Sequence, residues 1–484
     1  GFDPAREAVN FFELQVAHSL LSARRSGLSR LIFEKTGTPS GEEGSRAELL
    51  AAAGAASRIY PEVKKELAAA GLERVYSELE LPLLPVIYAM ESSGFGVDVQ
   101  ALKSLSSGFE ERLAAIEAEA EGLTGEKVNL NSPKQVAWLL YEKLNLGLDE
   151  RQMKMFKVKD GYSTAEEVLT LLKPAHPVVE KLLEFRELSK LKSSFVDPLA
   201  AAADGEGRVH STFEQSGTAT GRFSSSKPNL QNIPVRSAYG RQVRRAFRPR
   251  KGFVLMSADY SQIDLRVLAH VSGDANLTAA FLSGEDIHSR TAAEVFECDP
   301  SLVTGEMRRS AKAINFGIVY GQTPQGLARE LGISRAAAAG YIKHYFEAYS
   351  GVKAWIDATI LAARTEGFVT TFTGRRRSLP EIKASNANLR GFAERAAVNT
   401  PVQGGSADII KKAMIDIHSK IKGSGDVVLV LQVHDELVFE VRSGMEKAAA
   451  GVIKEGMENA FRLKVPLRAD IKTGPNWQDM ETVK

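Results

Sequence analysis

Two strand-like segments that each run into an acid constrain the fold of this chain more than any other feature. Phe253-Val-Leu-Met-Ser-Ala-Asp259 reads as a strand that ends in Asp259. Val427-Val-Leu-Val-Leu-Gln-Val433 and Leu437-Val-Phe-Glu-Val441 read as a tight hairpin, with His434-Asp435-Glu436 at its turn. Between them, about Ala275 to Arg395 has helical spacing and includes one long helix expected from Arg335 to Thr365. One small antiparallel sheet interrupted by a helical insertion fits this order, so the expected class is α+β.

The rest of the chain is mainly helical. The first ~75 residues are Ala/Leu-rich and broken by the loop Gly37 to Ser45. Ser132-Pro-Lys-Gln135 has the capping pattern with Pro at the first helical position, and Ser163-Thr-Ala-Glu166 repeats that logic. His176 to Leu199 carries apolar residues at helical spacing, and Thr220 to Pro234 is rich in loop formers. No internal repeat is visible.

Composition excludes several classes. In 484 residues, 44% apolar and 25% charged, the chain is neither disordered nor fibrous. Leu81 to Met90, one of its longer uncharged apolar runs, falls short of the ~20 residues of a membrane helix, so no membrane partner is expected. No leader of the secretory kind is apparent, and the lone Cys298 points to a reducing compartment. The chain begins Gly-Phe, which fits a processed product or an excised fragment. Net charge is only +2, yet Gly205 to Lys251 holds ten Lys/Arg against Glu206 and Glu214. That run fits a polyanion partner, or simply a solvated surface.

Three constellations carry chemistry. Asp259 and Asp435 sit at strand ends; if the strands share a sheet, their carboxylates converge as hard ligands suited to Mg²⁺, and otherwise each is a turn residue. Arg308, Lys312, Phe316 and Tyr320 recur every four residues, forming a helical stripe about 18 Å long, cationic and then aromatic. A nucleoside triphosphate fits along it, though aromatics at this spacing also serve as core. The Thr220 loop, with Arg222, Asn229, Gln231, Asn232 and Arg236, offers donors for the minor groove, as does Gln403; an ordinary polar loop is the alternative.

Asp259-Tyr-Ser-Gln-Ile-Asp-Leu-Arg266, the Arg308-to-Gly321 helix and Gln432-Val-His-Asp-Glu-Leu-Val-Phe-Glu440 resemble motifs A, B and C of the family A DNA polymerases. The resemblance extends through the Thr220 loop, Asp286-Ile-His288, Asn399 to Gln403 and Asn129 to Pro133, over roughly residues 77–484. It implies a right-hand fold of palm, fingers and thumb beside a truncated exonuclease-like domain. The implied divisions are an exonuclease-like remnant at 1–76, a palm entry at 77–99, a thumb at 100–203, palm at 204–273, fingers at 274–398 and the remaining palm at 399–484.

The resemblance also implies roles. Asp259, Asp435 and the Tyr260 carbonyl hold two Mg²⁺, with Mn²⁺ able to substitute, and Glu436 is an accessory acid. Arg308 and Lys312 grip the phosphates, with Lys312 protonating departing pyrophosphate. Phe316, Tyr320, His288, Gln262 and Asp264 face the incoming dNTP. Arg222, Asn229, Gln231, Asn232, Arg236, Arg395, Asn399, Gln403 and His434 contact primer–template DNA. A monomeric nucleotidyltransferase of replication and repair is implied, cytoplasmic and associated with the bacterial nucleoid. A single-subunit phage-type RNA polymerase and an inactive polymerase-like DNA-binding protein are the alternatives.

Two departures stand out. The usual motif A has Glu where this chain has Asp264, one methylene shorter, so weaker ribonucleotide rejection is expected. Residues 1–76 hold one Asp, Asp3, and no Asp-x-Glu pair, so no proofreading is expected; nor is a 5′-nuclease domain.

Overall fold

The computed structural model describes residues 13–22, 27–37, 45–147, 153, 156–158, 161–235 and 237–483. The loop expected from Gly37 to Ser45 lies mostly outside these, as do Asp3 and Arg236.

A five-stranded antiparallel sheet forms the centre: β1 Phe253–Tyr260, β2 Val427–Val433, β3 Glu436–Arg442, β4 Ala469–Gly474 and β5 Glu481–Thr482. Its order is β2-β3-β1-β4-β5, so the two acid-bearing segments do share one sheet. β1 is central, and Leu255 to Ala258 are buried on both faces, which explains its continuous apolar reading.

The insertion between β1 and β2 is mostly helical, but departs from the expected helical run at a short antiparallel hairpin of Phe368–Thr370 and Arg376–Ser378. It includes α1 Ile263–Ser272, α2 Ile287–Val295, α3 Gly305–Val319 and the 35-residue α4 Ala387–Ile421. Side-chain caps start three of these helices: Asp286 accepts from Ser289 N–H, Thr304 from Met307 N–H, and Asn386 from Leu389 N–H. α4 packs against α1 and connects the insertion back to the sheet.

The long helix expected over Arg335 to Thr365 is two helices, Arg335–Ala348 and Ser350–Glu366. Tyr349 breaks it at φ −116°, ψ 61°, with its hydroxyl 3.1 Å from Thr291 Oγ1. Gly351 N–H donates to Asp274 at 2.8 Å, and a Cβ at Gly351 would meet Asp274 Cα at the same distance. A tertiary contact therefore sets the break.

Ser132 caps its helix as expected, but Gln135 Oε1 accepts from Asn129 N–H at 2.7 Å rather than from the cap residue. The second expected box does not form. Its helix starts at Glu166 with Ala165 at the cap, while Ser163 Oγ accepts from Ala165 N–H. Before Tyr76, the described residues form helices Leu14–Ser22, Leu28–Thr36 and Arg46–Ala69 and no strand, around a small core of their own.

Candidate active site

The sheet register places the acids. Asp259, the penultimate residue of β1, stands opposite Glu436 on β3 and Asp470 on β4. Asp435 occupies the β2–β3 turn beside His434, whose φ is +50°. The backbone N–H of Tyr260 donates to the Asp435 carbonyl at 3.1 Å, tying the turn to the end of β1. The Tyr260 hydroxyl donates to Met457 O at 2.6 Å, so its ring is anchored in the core.

These carboxylates are electrostatically frustrated. Asp259 keeps part of its surface open to solvent, yet desolvation at the sheet end, then Glu436 and Asp470, push it up to about 6. Burial pushes Asp435 up to about 7, with Asp264 and Asp259 adding repulsion and Arg222 opposing it. Carboxylates whose nearby cations only partly offset the repulsion fit a hard divalent cation, which would reverse both shifts. Among the described residues no cluster of three or more His, Cys, Asp or Glu forms a metal cage. Two carboxylates leave the rest of a coordination shell to water and substrate oxygens, as Mg²⁺ sites commonly do. Glu436 is engaged elsewhere: Ser257 Oγ and Trp477 Nε1 donate to it, and Arg244 lies 3.7 Å away.

Next to the acids, Asp264 of α1 accepts from Tyr320 at 3.1 Å and pairs with Arg222 at 3.2 Å. Burial opposes the Arg222 charge, but Asp264 and Asp435 more than offset it and hold its pKa above the ordinary range. The sequence motif gave no sign of Ser406, which donates to Asp264 from α4 at 2.6 Å. Gln262 precedes α1 in the left-handed region, at φ +55°.

The stripe on α3 forms as read, except that Tyr320 is the residue just past the helix end. Arg308 and Lys312 are exposed, and Phe316 stacks on Tyr320 with centroids 6.3 Å apart. The ring of His288, itself buried, is 6.0 Å from Phe316, and Asn315 bonds its Nδ1 at 3.1 Å. Burial lowers the His288 pKa to about 4, so the ring is neutral. Phe316, Tyr320, Gly317, Gly321 and Arg395 line a cleft of about 540 Å³. Gly321 has φ +64°, and an added Cβ would meet Arg395 Cγ at 2.9 Å, so the close approach depends on glycine.

The polar loop is more self-satisfied than its composition suggests. Asn229 Oδ1 accepts from Gln231 N–H at 2.9 Å, and Gln231 Nε2 donates to Gln432. Gln432 Nε2 in turn donates to His434 O at 2.6 Å, so an amide relay links the loop to the acidic turn. Asn232 and His434 are exposed, Gln403 is half-buried, and Asn399 Oδ1 is buried with no partner among the described residues.

Six arginines of the basic run pair with acids elsewhere in the fold. Arg208 and Arg250 both pair with fully buried Glu440, Arg222 with Asp264, Arg244 with Glu436, Arg245 with Asp479 and Arg248 with Asp98. Six of the ten basic residues of the run thus have an acidic partner within the fold, two of them, Arg245 and Arg248, while still exposed.

Comparison with known proteins agrees with this geometry. The family model for DNA polymerase family A matches residues 99–479. DNA polymerase I of Caldicellulosiruptor bescii is 46% identical over 424 residues, covering 87% of this chain and 49% of that protein. The thermostable DNA polymerase I of Thermus filiformis is 46% identical over 404 residues, covering 83% and 48%. The chain spans about half the length of the curated relatives it matches. The solved POL domain of Pol1 from M. smegmatis, in complex with DNA primer-template and dNTP, superposes with a TM-score of 0.89 at 38% identity. That match covers 96% of this chain and 82% of that one.

Proposed function

We propose, from the premise that this chain belongs to DNA polymerase family A, that it is a template-directed, primer-dependent DNA polymerase. It adds dNMP to a primer 3′-hydroxyl and releases pyrophosphate. The observation that carries this reading is the junction of Asp259 and Asp435 at one sheet end, locked by the Tyr260 N–H.

Asp259 and Asp435, with the Tyr260 carbonyl, would hold two Mg²⁺ ions, for which Mn²⁺ is a substitute. When bound, such ions polarise the reacting phosphate and lower the pKa of the attacking hydroxyl. Arg308 and Lys312 hold the triphosphate by charge, and Lys312 is the proton donor to departing pyrophosphate. The Arg308–Asp286 pair is exposed, so a triphosphate displaces Asp286 at small cost. Phe316 and Tyr320 stack against sugar and base, with His288 braced behind Phe316 and Gln262 beside them. Arg222, Asn229, Gln231, Asn232, Arg236, Arg395, Asn399, Gln403 and His434 receive the primer–template end. Asp264 faces the sugar, and Glu436 stabilises the sheet beneath the metals.

The divisions at 77–99, 100–203, 204–273, 274–398 and 399–484 serve as palm entry, thumb, palm, fingers and palm. Residues 1–76 are an exonuclease-like remnant without proofreading. The enzyme works as a monomer in the cytoplasm, at the nucleoid. Among the described residues no helix is long and apolar enough to cross a membrane.

Primer extension on a primed template with dNTPs and Mg²⁺ tests the reading. Extension that depends on template and primer is expected, as is its loss in Asp259→Asn and Asp435→Asn. Primer-free RNA synthesis, or full activity in either variant, overturns it.

A further inference from the structure

Asp264 is only 4% exposed, and its carboxylate is fully engaged. Tyr320 donates to Oδ2 at 3.1 Å. Arg222 Nη2 lies 3.2 Å from Oδ2 and 3.5 Å from Oδ1. Ser406 Oγ donates to Oδ1 at 2.6 Å. Three donors thus crowd the carboxylate, with Arg222 Nη2 forked unevenly across both oxygens, so that each oxygen has two contacts of the roughly four that a carboxylate accepts in all.

Ser406 reaches Asp264 from α4, 142 positions along the chain, and is itself 0% exposed. Its single proton has a second acceptor in reach, Val402 O at 3.1 Å. The nearer, charged oxygen of Asp264 is the stronger acceptor. The hydroxyl therefore ties the short acid to α4 through Oδ1, while Tyr320 holds Oδ2.

We propose that Ser406 is a positioning residue for sugar selectivity, holding Asp264 so that no acceptor position is left for a ribose 2′-hydroxyl. This rests on the reading of Asp264 as the group that faces the incoming sugar. A 2′-hydroxyl that reaches a saturated carboxylate loses its water and gains no partner, so the ribonucleotide is rejected by polarity as well as bulk. Without the Ser406 hydroxyl, Oδ1 is open to the 2′-hydroxyl. The shorter acid alone makes a loose gate; Ser406 closes it from behind.

The test is single-nucleotide incorporation by the full chain opposite a fixed template base. kcat and KM are measured for a dNTP and its matching rNTP in the wild type, Ser406→Ala, Asp264→Glu and the double variant. Ser406→Ala is expected to lower the dNTP/rNTP ratio of kcat/KM roughly tenfold, through a gain with rNTP. In the Asp264→Glu background, where the carboxylate extends past the serine, the same change is expected to alter the ratio by less than about twofold. A ratio insensitive to Ser406, or an equal fall in both backgrounds, overturns the proposal. If the wild type shows good dNTP incorporation alongside either result, the polymerase reading stands and only this proposal falls. A wild type that incorporates no dNTP overturns both.

Discussion

Asp286 and Arg308 are joined by a hydrogen bond of 2.6 Å that ties α2 to α3. Asp286 spends its other oxygen on the Ser289 N–H, capping α2 at 2.9 Å. One carboxylate thus starts one helix and restrains the cation at the outer end of the stripe on the next.

Asp286→Asn separates the two tasks, because Asn caps helices about as well as Asp but carries no charge. Stability is expected to change by less than about 0.5 kcal/mol, while the KM for dNTP falls about two- to fivefold as Arg308 is released. Urea unfolding and steady-state kinetics check both. A raised KM would show that Asp286 aims Arg308 at the phosphates rather than competing for it.

Asp435→Asn is expected to abolish extension and yet stabilise the metal-free chain. The folded-state pKa of Asp435 is about 7, raised first by burial, against an ordinary 3.8. The unfolded state ionises near 4, so the folded state is penalised increasingly as pH rises from about 4 to about 7. At pH 8 without divalent metal the variant is expected to gain up to roughly 4 kcal/mol, and near pH 4 almost nothing. Tm measured in EDTA at both pH values checks the sign; a variant less stable at pH 8 contradicts it.

His288 shows the opposite linkage. Its pKa is depressed by burial from 6.5 to about 4, so the folded state resists a proton that the unfolded state accepts. Stability tied to this group is complete above about pH 6.5 and declines as pH falls toward 4, by about 2–3 kcal/mol. Replacing His288 with Gln is expected to flatten the stability–pH profile in that window. Denaturant melts at pH 7 and pH 4.5 measure it, and an unchanged slope contradicts the assignment.

Glu80, Arg375, Lys411 and Asp408 form an ion network that is almost wholly buried, beneath the loop that carries Arg222. Glu80 receives Arg375 and Lys411, the latter at 2.6 Å, and Gly221 lies so close that an added Cβ would meet Arg375 Nε at 2.6 Å. Glu80→Ala leaves buried Lys411 without its carboxylate, while Arg375 keeps Asp408, and is expected to cost about 3 kcal/mol. A urea midpoint within error of the wild type would contradict this.

Much of the architecture was readable locally. β1, the β2–β3 hairpin and α3 follow their hydrophobic periods, and Asp259 and Asp435 stand where those periods stop. The break at Tyr349 was not readable, because helical spacing continues through it while Asp274 and Thr291 act from elsewhere in the chain. The failed box at Ser163 has a similar cause: Tyr141 donates to the Ser163 carbonyl and fixes the approach to the helix. Nor did any local pattern mark Ser406, an ordinary small residue until α4 lies against α1.

Local patterns in the chain settle the kinds of groups available: two acids at strand ends, a cationic-then-aromatic stripe, and the family these motifs belong to. Which of those charges gain an internal partner follows from the folded chain alone. In the basic run from Gly205 to Lys251, Glu440, Asp264, Glu436, Asp479 and Asp98 pair with six arginines from distant parts of the chain. Ion pairing depends on distance through space and on burial, and neither is encoded in a local count of charge.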